Sequence, residues 1–144
     1  METTETIETA SVDETFAFGR RLASRLRRGD CVGLIGDLGA GKTALTRGVA
    51  AGLGLTQANL VSSPTFVLVQ EYPARVRVFH IDLYRMKHPE LELPSLGLDE
   101  MLHEGIVLIE WADRAPNALP RRHWRVEIVA TGQTSRRIEI TPPV

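Results

Sequence analysis

The stretch Gly36-Asp37-Leu38-Gly39-Ala40-Gly41-Lys42-Thr43 decides how this chain is read. Before it runs Cys31-Val32-Gly33-Leu34-Ile35, apolar throughout, as expected for an interior parallel strand covered on both faces. After it Leu45, Val49 and Leu53 recur at the spacing of one helix face, until Gly52 and Gly54 break the pattern. A glycine-rich loop between a buried strand and a helix is the setting of a phosphate-binding loop. A phosphate chain packs several negative charges together and needs converging donors with no side chains in the way. Gly36, Gly39 and Gly41 let the backbone curl with its amide hydrogens inward, and the helix points its positive end at the same spot. Lys42 supplies an ammonium for the outer phosphates and the Thr43 hydroxyl is a magnesium ligand. The expected ligand is a nucleoside triphosphate with magnesium.

Magnesium needs more than Thr43, and carboxylates at the C-terminal ends of parallel strands are the natural supply. Asp82 follows the apolar run Val76 to Ile81, and Glu110 follows Ile106 to Ile109. Either can hold the ion through water while the other orients the attacking water; the bland alternative for each is a solvated acid capping the next turn. Thr65, in Ser63-Pro64-Thr65, closes on the γ-phosphate or magnesium, or belongs to an ordinary turn. Trp111 stacks on the base or packs in the core. His80, beside Asp82 on a strand, reads as structural.

Elsewhere, Thr4 to Thr9 suits a short edge strand. Ser11 with Glu14 has the capping-box pattern, and Phe16, Ala17, Leu22, Ala23 and Leu26 behind it mark a helix that Gly29-Asp30 ends. Asn59 to Thr65 reads as loop, Phe66 to Tyr72 as a strand, and Val76 to Ile81 as its hairpin partner across Pro73-Ala74-Arg75. Pro89 and Pro94 interrupt the region from Met86 to Leu102, leaving a short helix near Leu98 to Leu102. Trp124 to Val129 and Arg137 to Ile140 alternate cleanly around a Gly132 turn, predicting an antiparallel pair with one wet face.

The 144 residues, without internal repeat, linker or low-complexity stretch, fit one domain over 1–144. Hydrophobic residues at 43% and charged residues at 24% suit a globular protein, and a net charge of -1 gives no general attraction for nucleic acid. The lone Cys31 excludes an internal disulfide, and no segment has the length or apolarity of a membrane span or signal peptide. A cytoplasmic protein is the expectation.

The order of Gly36-Asp37-Leu38-Gly39-Ala40-Gly41-Lys42-Thr43, Ser62-Ser63-Pro64-Thr65-Phe66, His80-Ile81-Asp82-Leu83-Tyr84-Arg85 and Ile109-Glu110-Trp111-Ala112 resembles the TsaE (YjeE) family of bacterial tRNA threonylcarbamoyladenosine biosynthesis ATPases. The resemblance spans nearly the whole chain. It implies a small α/β P-loop NTPase fold, with a parallel central sheet flanked by antiparallel strands and helices on both faces. It implies weak magnesium-dependent ATP hydrolysis in support of the TsaD and TsaB proteins, which modify adenosine 37 of tRNA, with tRNA contacted indirectly through the complex. Carried over residue by residue, it makes Asp82 the Walker-B-like magnesium carboxylate and Thr65 part of a switch-like loop. It gives Glu110 to hydrolysis or magnesium positioning and places Trp111 at the nucleotide site. Many members have proline where this chain has Ala112. Arg85 is a further candidate cation, facing phosphate, a partner or its own acidic neighbours.

Two rival enzymes share the loop. A small-molecule kinase needs an acceptor pocket and a lid with arginines, for which Arg121 and Arg122 are the candidates in a short segment. A GTPase needs a guanine-reading Asn-Lys-x-Asp sequence, which Pro116-Asn117-Ala118-Leu119 does not supply. A third reading, a nucleotide-gated interaction protein, overlaps the family reading.

Overall fold

The structure is a computed structural model that describes residues 3–37, 39, 41–55 and 69–143. Strands β1 (Glu5–Thr9), β2 (Cys31–Ile35), β3 (Val69–Pro73), β4 (Arg77–Asp82), β5 (Gly105–Glu110), β6 (Trp124–Ala130) and β7 (Arg136–Thr141) form one sheet in the order β1-β7-β6-β2-β5-β4-β3. The inner strands β6, β2, β5 and β4 are mutually parallel. At one side β7 and β1 run antiparallel, and at the other β3 forms a hairpin with β4. The expected parallel centre with antiparallel flanks is therefore present.

Helices α1 (Val12–Ala23) and α2 (Lys42–Gly52) cover one face; α3 (Pro89–Ser95) and α4 (Leu98–Glu104) cover the other. Alternation along the central strands divides the core between them. Val32, Leu34, Val78, Ile106 and Leu108 face α1 and α2, while Cys31, Phe79, Ile81, Val107 and Ile109 face α3 and α4. This is why β2 and β5 read as continuous apolar runs.

The N-cap of α1 is as expected: Ser11 Oγ accepts from the Glu14 amide at 3.1 Å, although the Glu14 carboxylate reaches back to the Ala10 amide instead of Ser11's. Two features of α1 differ from the sequence reading. The helix ends at Ala23, with Gly29 (φ 99°) turning the chain only afterwards. Its buried face runs through Thr15, Phe18, Gly19 and Leu22, leaving Phe16 and Ala17 partly covered. The reason is the crossing with α2, which is backbone against backbone. A Cβ at Gly19 would lie 2.4 Å from the Leu45 carbonyl oxygen, and one at Gly48 only 2.1 Å from that of Phe16.

Pro89 and Pro94 belong to a helix that the sequence reading took as interrupted. Pro89 occupies the first turn of α3, where no amide is needed, and Pro94 falls so near the end that little helix is lost. The strand expected from Phe66 is described from Val69, and the loop expected over Asn59 to Thr65 lies outside the described residues.

Candidate functional site

The glycine loop leaves the C-terminal end of β2 and enters α2 at Lys42. Gly39 and Gly41 have φ of 77° and 107°, a region that side-chain-bearing residues avoid, and Gly41 is the N-cap of α2. No acidic residue occupies the first turn and no side chain caps it, so the helix start carries no built-in anion of its own. Gly36, Asp37, Gly39, Gly41, Lys42 and Thr43 are described; Leu38, Ala40 and Thr65 lie outside the described residues.

Lys42 is nearly buried, at 5% exposure. Its Nζ donates to the Gly36 carbonyl and, at 3.3 Å, to that of Asp37, and lies 4.0 Å from the Trp111 ring centroid. The ammonium is folded back on its own loop beneath an aromatic face. Burial pulls its pKa below the ordinary lysine value, while Glu110, Asp82, Asp37 and Asp113 oppose that shift.

Asp82 and Glu110 close β4 and β5, and parallel pairing sets them directly opposite each other in register. Glu110 is also the register partner of Leu34, next to the residue where β2 gives way to the loop. Both acids therefore stand at the same sheet edge as the loop, as expected. Burial raises the Asp82 pKa and the Glu110 charge adds to the rise; the Tyr84 amide, donating to Asp82 Oδ1 at 2.9 Å, opposes it, as do His80 and Lys42.

Neighbouring carboxylates, Asp82 half-buried and Glu110 almost wholly buried, are a donor set for a hard divalent cation. Among the described residues no three His, Cys, Asp or Glu side chains form a metal cluster. Magnesium suits such a sparse set, because it keeps waters and takes phosphate oxygens as ligands. Thr43, Asp82 and Glu110 are thus the candidates to hold it.

Trp111 is half-buried and packs against the core on the α3 and α4 face, while its ring also meets groups of the site. Its φ of 59° is the one positive value at a non-glycine among the described residues, and it precedes a 3-10 turn at Ala112–Arg114. The ring contacts both the Lys42 ammonium and the Tyr84 ring, whose centroid is 4.9 Å away. Beside it a cleft of about 280 Å³ is lined by Gly36, Asp37, Gly39, Trp111, Asp113 and Glu127 among others. Arg85 is exposed on the turn after Asp82.

Two arginines escaped the sequence reading. Arg136, at the start of β7, donates through Nη2 to the Gly39 carbonyl at 3.0 Å, tying the last hairpin to the loop. Arg114 donates through Nη1 to the Leu83 and Tyr84 carbonyls at 2.5 and 2.6 Å, bracing the turn that follows Asp82. Neither carries a local motif; each acts across a chain separation that only folding closes.

A buried strand, a glycine loop and a helix, with acids at the adjoining strand ends, define a P-loop NTPase of the α/β class. The family model for "Threonylcarbamoyl adenosine biosynthesis protein TsaE" matches residues 9–138. The chain belongs to the TsaE family. It is 42% identical over 135 residues to the tRNA threonylcarbamoyladenosine biosynthesis protein TsaE of Bacillus subtilis, covering 92% of this chain and 82% of that one. To the protein of the same name from Streptomyces coelicolor it is 40% identical over 124 residues, covering 83% and 82%. A crystal structure of Bacillus subtilis YdiB superposes with a TM-score of 0.80 at 34% identity, covering 100% of this chain and 88% of that one. Among the described residues, no helix is long and apolar enough to cross a membrane.

Proposed function

We propose that this protein is the magnesium-dependent ATPase that supports TsaD and TsaB in placing threonylcarbamoyl on adenosine 37 of tRNA. Family membership supports the pathway. The observation that carries the chemistry is convergence: Lys42 at the head of α2, and Asp82 and Glu110 opposite each other at one sheet edge.

The loop amides and the α2 N-terminus receive the phosphates of ATP. Lys42 would exchange the Gly36 and Asp37 carbonyls for phosphate oxygens. Thr43 and Asp82 would hold the metal, with Glu110 as a further ligand or as the group that orients the attacking water. A magnesium ion held there would neutralise charge developing on the phosphate oxygens. On the family resemblance alone Thr65 is assigned a switch-like role toward the γ-phosphate or magnesium, and Trp111 a place beside the nucleotide. Contact with tRNA is indirect, since a chain of net charge -1 offers no general polyanion field.

The deciding experiment compares ATP hydrolysis by the protein alone with hydrolysis in the presence of TsaD and TsaB, using Lys42→Ala as control. The expected result is a slow basal rate that changes on adding the pair and falls in the variant. A fast rate indifferent to the pair but dependent on a small acceptor sinks this reading in favour of a kinase.

A further inference from the structure

His80 is fully buried in β4, two residue pairs behind the Asp82–Glu110 edge, and the loop, metal and water contacts assigned above do not use it. Its Nε2 lies 2.5 Å from Glu110 Oε2, and its Nδ1 lies 3.3 Å from the Tyr72 hydroxyl. The Tyr72 hydroxyl in turn lies 2.6 Å from the Gln70 side-chain amide. Pairing makes this continuous, because Gln70 stands opposite His80 across β3 and β4, and β5 brings Glu110 alongside.

Val78, on the same face of β4 as His80, and Ile106 and Leu108, on the same face of β5 as Glu110, pack with α1 and α2. The contact therefore lies on the sheet face that carries the P-loop helix. A fully buried histidine needs partners for both ring nitrogens, and here one of them is the carboxylate that closes β5 at the loop edge. A carboxylate almost wholly removed from water has its orientation set by whatever holds its oxygens.

We propose that His80 is a positioning residue for Glu110: with its far nitrogen held by Tyr72, the imidazole grips one carboxylate oxygen and fixes how Glu110 addresses the P-loop. This deepens the ATPase reading and rests on it. The hydrogen bond itself exists whether or not ATP is the ligand, so the two ideas fail separately.

The test has a spectroscopic arm and a kinetic arm. Nitrogen-15 NMR of the nucleotide-free protein should show a strongly deshielded His80 ring proton, identified by its loss in His80→Gln. It should move upfield in Glu110→Gln and shift in Tyr72→Phe. In magnesium-ATP hydrolysis, His80→Leu should lower kcat by about 10- to 100-fold with KM for ATP changed less than about twofold. His80→Gln, which keeps a donor within reach, should recover most of that loss, and Tyr72→Phe, which keeps the packing, should lose several-fold.

His80→Leu should add little in a Glu110→Gln background, because the two residues act as one unit. The proposal is overturned if the His80 signal ignores Glu110→Gln. It is equally overturned if His80→Leu and Tyr72→Phe both keep wild-type kcat, or if the His80→Leu loss is undiminished without the Glu110 carboxylate. If the wild type fails to hydrolyse ATP even with TsaD and TsaB, the ATPase reading falls while the NMR arm still decides the bond.

Discussion

Gly48→Ala asks whether the P-loop helix owes its position to the backbone crossing with α1. The added Cβ would lie 2.1 Å from the Phe16 carbonyl oxygen and 3.0 Å from Gly19 Cα, against ordinary contact from 3.4 Å. The helices must part locally by about 1.3 Å, and the obstacle is backbone, which has no rotamer to give. Overpacking of this sort costs about 3 kcal/mol, while alanine's better helix propensity returns about 1 kcal/mol. The net loss of about 2 kcal/mol lowers Tm by roughly 4–8 °C for a domain near this size. Because Lys42 and Thr43 open the same helix, nucleotide affinity should weaken too. Calorimetry with a nucleotide titration measures both, and Gly19→Ala, meeting the Leu45 carbonyl from the other side, should behave alike. A Gly48→Ala protein that melts at or above wild type refutes the argument, since propensity alone would then account for the result.

Asp82→Asn should remove magnesium-dependent turnover yet raise the melting temperature of the nucleotide-free protein at pH 7. The folded pKa of Asp82 is raised, so folding disfavours its charge above the carboxylate range; the gain should shrink as pH falls and the wild-type carboxyl protonates. A lower melting temperature for this variant at pH 7 contradicts that sign. Cys31, whose thiol burial pushes up to about 12, should resist alkylation in the native protein and react on unfolding. Rapid native labelling counted by mass spectrometry would disprove its burial. Arg114→Ala should loosen the turn after Asp82 and raise the magnesium concentration needed for half-maximal hydrolysis by several-fold, with about 1–2 kcal/mol lost for an exposed guanidinium. An unchanged magnesium dependence would mean the turn holds without it.

What the sequence determined by itself is local. Glycines that must adopt positive φ, the lysine after them, an apolar strand before and a periodic helix behind are all neighbours along the chain, so the P-loop was legible from spacing alone. The Ser11–Glu14 cap and the alternation of β6 and β7 were readable for the same reason. The helical prolines misled because proline's meaning depends on whether it falls in the first turn, the middle or the last turn, which composition does not say. The facing of Asp82 and Glu110 was settled only by parallel register, which pairs residues 28 positions apart in number. Arg136 on the loop, Arg114 on the Asp82 turn and His80 on Glu110 likewise depend on which strands lie side by side. Side-chain chemistry is written in the sequence, but hydrogen bonds reach only about 3 Å, and tertiary packing decides which groups come that close.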